Sequence, residues 1–382
     1  MRPSAERESD VQVRSSAVRH GHLVIGGVAF LLLTAGIFWY QFHRIEVGDA
    51  TPRWDQLQWR FLPLILLCVP IETFAAGVRM WVVCRTLQPE VRLRTCIKAE
   101  WANVAISLLT PSQSGGGPGQ IYILSREGVS VGTALTISLL GFVGTMLGLV
   151  GMGLYSLAAS DLEGMGTLFV AAVWTLTVIG AAMVLAAAWP GLFRLVLGML
   201  SRAWWRVLGG RHPLSGWWPP GDSRTGPPVD RLDRWTAWLV DIVYTYRTDV
   251  GRFVRAGKAS FAWVCLLSLT FLFSRSLLAY LCVRFLGIEA STPRHIVEMQ
   301  MALIFLVFFA PTPGSAGVAE GASLSLMAEI VPAGFAPYYN LLWRLSTAYL
   351  AALAGLFCLL QAALEDARRV MDRPAVSQED NA

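Results

Sequence analysis

The chain has 382 residues, 54% of them hydrophobic and 15% charged, against roughly a quarter charged in an average soluble domain. A formal net charge of +5 carried between apolar runs is the pattern of a membrane protein's basic flanks, and it argues against nucleic acid as a partner. Six cysteines without a C-x-x-C pair and five histidines without H-x-x-x-H spacing point to no disulfide framework, no metal and no cofactor.

A basic tail, residues 1–22, precedes an apolar run from Leu23 to Phe42 that lacks a small-x-small cleavage site and reads as an uncleaved anchor, followed by an outer loop to residue 60. Five more stretches long enough to cross a hydrocarbon core of about 30 Å run from Phe61 to Cys84, Val131 to Ala158, Met165 to Ala188, Phe261 to Leu286 and Pro337 to Leu360. Two others, Ala99 to Leu124 and Ile296 to Met327, are broken at their centres by PSQSGGGPGQ (Pro111 to Gln120) and PTPGSAGVAE (Pro311 to Glu320). Proline and glycine there remove backbone hydrogen bonds and permit reversals, so neither stretch is a continuous helix. Residues 189–258 form a linker: an exposed turn, Trp217 to Pro228, then an Arg/Asp/Trp-rich amphipathic helix, Arg231 to Arg255, suited to an interface. Residues 364–382 are a tail.

Charge decides between two models of the broken stretches. If both turn back without crossing, 23 Lys/Arg lie on the cytoplasmic side and 4 outside; if both cross, the counts are 12 and 15. The positive-inside rule selects the first, with both termini cytoplasmic. The expected fold is an all-α polytopic membrane protein with about six spanning helices and two re-entrant broken-helix hairpins, 99–124 in a first half (61–188) and 296–327 in a second (259–363).

The broken stretches align at a separation of 200: Pro111 with Pro311, Gly117 with Gly317, Gln120 with Glu320 and Leu124 with Leu324. Entering from opposite sides, the halves make an inverted repeat. In transporters, interrupted helices at matching places mark a midplane site. Half-helix N-termini offer free N–H groups to a phosphate or carboxylate. The candidate ligand-binding residues at the breaks are Ser112, Gln113, Gly115, Gly116, Gly117 and Gln120, with Thr312, Gly314, Gly317 and Glu320. Four charges within spans join them: Glu72, Arg79, Arg275 and Arg344. Each is costly in lipid, and arginine's planar fork suits phosphate. Glu72 with Arg275, and Glu320 with Arg344, are the natural pairs; Arg79, five residues from its helix end, has the option of snorkelling to the interface.

TPSQSGGGPGQIYILSREG (Thr110 to Gly128), APTPGSAGVAEGASL (Ala310 to Leu324) and Arg79 ahead of the first resemble the transmembrane, flippase region of the lysylphosphatidylglycerol synthase family, over roughly Phe61 to Glu365. Relatives often carry an acid in the first Gly-rich turn, where this chain has Gln120. In full synthases an aminoacyl-transferase domain follows the membrane part; here about 20 residues follow the last span, so aminoacyl transfer is not expected. The resemblance implies translocation of a membrane lipid with a phosphate-containing or zwitterionic headgroup in a bacterial inner membrane. The alternatives are a membrane-embedded transferase acting on a lipid carrier, for which no catalytic constellation is visible, and an accessory partner of a lipid-synthesising enzyme. Homo-oligomers are open.

Overall fold

The computed structural model describes residues 27–43, 51–110, 113, 115–159, 170–171, 174–175, 177–178, 181, 228–289 and 293–371. Among them the regular elements are helices: α1 (Gly27–His43), α2 (Leu62–Leu87), α3 (Leu93–Leu109), α4 (Gly116–Arg126), α5 (Val131–Ala159), α6 (Pro228–Arg255), α7 (Lys258–Phe285), α8 (Pro293–Phe309), α9 (Val318–Met327), α10 (Ala336–Arg344) and α11 (Leu350–Met371). Four helical runs are long and apolar enough to cross a membrane: Trp59–Leu87, Val131–Tyr155, Lys258–Phe285 and Ala333–Asp366. They coincide with four of the expected spans. The described part of the first span is helical, while most of Met165 to Ala188, the turn at 217–227, the N-terminal tail and residues 372–382 lie outside the described residues; residues 364–371, expected as the start of a tail, continue the last helix.

Both broken stretches fold back on themselves, and small residues explain how. Where α4 returns along α3, a Cβ on Gly119 would stand 2.9 Å from the Ala102 carbonyl oxygen, so only glycine lets the two backbones approach this closely. Gly116 sits against Asn103 and Ser107 in the same way. The first leg begins earlier than its hydropathy indicates: α3 starts at Leu93, after an extended Arg92, and carries Arg94 and Lys98 in its opening turns. In the second hairpin α8 begins on Pro293, whose missing N–H is no loss in a first turn, and the chain reverses through Ala310 to Gly317 with Gly314 at φ 58° and Gly317 at φ 86°.

The hairpins open to opposite ends of the bundle. At one end Leu124 and Val129, just past α4, pack with Leu87, Val91, Phe253 and Ala362. At the other, Met327, Ile330 and Val331, following α9, pack with Leu57, Phe61, Leu286 and Ile288. The tips touch midway: the Gly314 N–H donates to the Thr110 carbonyl at 3.4 Å, and Gln113 Nε2 donates to Ser315 Oγ at 3.3 Å.

Helix α1 lies along this junction. Phe30 packs with Leu108, Ala316 and Ala348. Its ring would meet a Cβ on Gly314, and the Ile37 side chain one on Gly317. Asn340 Nδ2 donates to Gln41 Oε1 at 3.4 Å. The last span is interrupted by one π-helical turn, Leu345–Tyr349, directly after Arg344. Such bulges insert a residue, rotate the helix beyond them and gather at functional places. The linker helix α6 is helical as expected and lies against α5 through Gly132, where a Cβ would stand 3.0 Å from Thr245.

Candidate functional site

A cavity of about 480 Å³ lies between α2, α3, α5 and α7; the first hairpin tip reaches its wall through Gln113, Gly117 and Gln120, and the second hairpin through Leu303, Ile304 and Val307 of α8. Three arginines line it: Arg79, Arg275 and Arg344. Their carboxylate partners are Glu100, Glu72 and Glu320 respectively, and the first two also line the cavity. In lipid-buried surroundings an unpaired charge is expensive, and here each of the three arginines stands beside a carboxylate.

The three pairs are held to different degrees. Arg344 Nε donates to Glu320 Oε1 at 2.6 Å and its NH2 to the Gly314 carbonyl at 3.0 Å, with both residues inaccessible. The second Glu320 oxygen accepts the Gly317 N–H at 2.7 Å, so this carboxylate caps the start of its own helix. Arg79 is also buried. It donates to Thr145 Oγ1 and to Ser268 Oγ at 3.4 Å, and its NH2 stands 3.6 Å from Glu100 Oε1. The snorkelling option is therefore not the one taken: the guanidinium turns inward, because Glu100, Thr145 and Ser268 offer it partners inside the bundle. Arg275 is the loosest, with a side chain 28% exposed and one contact to Glu72 at 3.4 Å. The Phe271 ring lies 5.7 Å from Arg79 Cζ and 6.0 Å from Arg275 Cζ, an aromatic wedge between two cations.

From Arg79 a chain of hydrogen bonds runs along one face of α3 to the first tip. Glu100 Oε2 accepts from Asn103 Nδ2 at 3.3 Å, Asn103 Oδ1 accepts from Ser107 Oγ at 3.3 Å, and Ser107 also reaches the Gln113 carbonyl at 3.2 Å. The spacing of 100, 103 and 107 puts all three on one helical face. Gln113 then bridges to Ser315, whose hydroxyl donates to the Val307 carbonyl at 2.8 Å.

Of the residues singled out from sequence, Glu72, Arg79, Gln113, Gly117, Gln120, Arg275 and Arg344 line the cavity. Gly115, Gly116, Thr312, Gly314, Gly317 and Glu320 build the tips: Gly115 N–H donates to Thr110 Oγ1 at 2.9 Å and Thr312 Oγ1 to the Ala316 carbonyl at 2.7 Å. Ser112 lies outside the described residues. Glu100, Asn103, Ser107, Thr145 and Ser268 escaped the sequence reading. A polar stripe at helical spacing, 100, 103 and 107 in an otherwise apolar run, is the signal that would have found the first three.

These helices and buried ion pairs define a multi-pass membrane protein with a cavity lined by charged side chains inside its bundle. A family model described as the lysylphosphatidylglycerol synthase TM region matches residues 24–355, and the chain belongs to that family, a membrane protein group of lipid metabolism or transport. A search of curated proteins found no match.

Proposed function

We propose that this protein is a flippase-like translocator that moves a lipid with a phosphate-containing or zwitterionic headgroup between the leaflets of a bacterial inner membrane. The observation that carries the reading is the cavity itself, which sets Arg79, Arg275 and Arg344 with Glu72 and Glu100 around about 480 Å³ in the middle of an apolar bundle. Space of this size lined by both signs of charge suits a headgroup whose acyl chains stay in lipid. The aligned breaks support an inverted repeat, with the hairpins entering from opposite leaflets and a site where they meet. Re-entrant hairpins would place 23 basic residues on the cytoplasmic side against 4 outside, where crossing hairpins would give 12 and 15, and the positive-inside rule favours the first with cytoplasmic termini. On this reading the protein is a transporter and not an enzyme.

Arg275 has the fewest commitments to the fold and is the residue to test. In proteoliposomes carrying a fluorescent phospholipid, Arg275→Ala with unchanged protein yield abolishes leaflet transfer. Transfer at the normal rate by that variant removes the proposed role of the cavity.

A further inference from the structure

The two tips align position by position, yet they differ by one charge. At the second, Glu320 takes the Gly317 N–H and the Arg344 guanidinium, so the positive end of α9 is neutralised by the chain itself. At the first, Gln120 occupies the matching position. Among the described residues helix α4 has no side-chain cap, and its first turn holds no acid. Among the described residues the Gly117 N–H has no partner, and Pro118 has no N–H to offer. Gly117 borders open space, since a Cβ there would meet nothing within 4 Å.

A second observation points to a ligand at the same spot. The Gln120 side chain is 6% exposed, lines the cavity, and its carboxamide has no hydrogen-bond partner among the described residues. Its donors share a cavity wall with the uncapped helix start. Arg79, held by Glu100, lines the same chamber.

We propose that the start of α4 is an oxyanion subsite for a phosphoryl group, with the Gly117 N–H and the Gln120 carboxamide N–H donating to its oxygens, and that the second tip, filled by Glu320, takes none. The inference rests on the reading of the cavity as a headgroup chamber and assigns the headgroup's phosphate to one hairpin. The phosphoryl group arrives on a lipid or as free phosphate; the donors are the same.

The test uses the full chain in detergent micelles, titrated with dioctanoyl phosphatidic acid, with inorganic phosphate and with dioctanoylglycerol. Phosphatidic acid binds and dioctanoylglycerol does not; competition by inorganic phosphate at low millimolar concentration marks a site open to free phosphate, and its failure to compete marks a lipid-borne one. Gln120→Glu places at the first tip the carboxylate that closes the second, and weakens phosphatidic acid binding roughly 10- to 100-fold. Gln120→Leu, which keeps the bulk and adds no charge, weakens it roughly 5- to 10-fold. Unchanged affinity in both variants, with thermal unfolding like that of the unaltered protein, overturns the subsite, as does equal binding of dioctanoylglycerol. If affinity is unchanged while Arg275→Ala still stops leaflet transfer, the subsite falls and translocation stands. Gln120-dependent binding in a protein that transfers no lipid does the reverse.

Discussion

Replacing Glu320 by Gln strands the Arg344 guanidinium in a place with almost no access to water. Glu320 is fully buried and Arg344 nearly so, and their contact is 2.6 Å, so the substitution removes a charge partner that solvent does not replace. Breaking a buried pair from one side costs about 3–5 kcal/mol. The Gly314 carbonyl stays bonded to Arg344, and the new amide can still accept the Gly317 N–H, which puts the expected loss near the lower figure, about 3 kcal/mol. In detergent, thermal unfolding followed by intrinsic fluorescence then shifts down by roughly 4 °C. The pair carries a sharper signature than either member. Glu320→Gln combined with Arg344→Met leaves no buried charge, so the double variant is more stable than the sum of the single losses by more than about 1 kcal/mol. Additive losses, or a single-variant loss under about 1 kcal/mol, refute the argument that burial makes this ion pair indispensable to the tip.

Adjacent glycines at the first tip respond differently to a side chain. Gly116→Val drives a branched carbon into Asn103 and Ser107 and lowers the unfolding midpoint or the folded yield, whereas Gly117→Ala, facing open space, leaves both unchanged; size-exclusion profiles and melting curves compare them. Gly355→Val, on α11, meets the Trp101 backbone carbonyl of α3 and is expected to block correct packing of the last span, read as loss of a monodisperse peak. Arg126 pairs with Glu365 and Asp366 at 2.9–3.0 Å, but those acids are 59% and 40% exposed, so Arg126→Ala costs about 1 kcal/mol or less and the difference shrinks as salt is raised, by the same melting assay.

The breaks at Pro111 to Gln120 and Pro311 to Glu320 were legible because proline and glycine act on the backbone directly, whatever surrounds them. Charges in apolar spans were legible for a similar reason: with so few of them, Glu72 with Arg275 and Glu320 with Arg344 left little choice of partners. Arg79 was left with two fates, interface or interior, because distance from a helix end says nothing about what a neighbouring helix presents, and Glu100, its partner, stands where a basic loop passes into an apolar stretch and hydropathy assigns it to neither. The π turn after Arg344 has no marker in LSTAY, since one extra residue per turn is accommodated by tertiary packing and not by propensity. The contrast between Gln120 and Glu320 was visible in the alignment, yet its meaning depended on seeing which carboxylate bonds to which amide.

Among the described residues helix α1 lines no part of the chamber, but it spans both hairpins from outside. Leu109 of one lies beside Gly27, Phe30 sits where Leu108 and Gly314 come together, and Ile37 covers Gly317 of the other. A clasp of this form makes the two hairpins mechanically interdependent. Neither can withdraw toward its own end of the bundle without shearing past the same apolar stripe, so whatever loosens α1 loosens both at once.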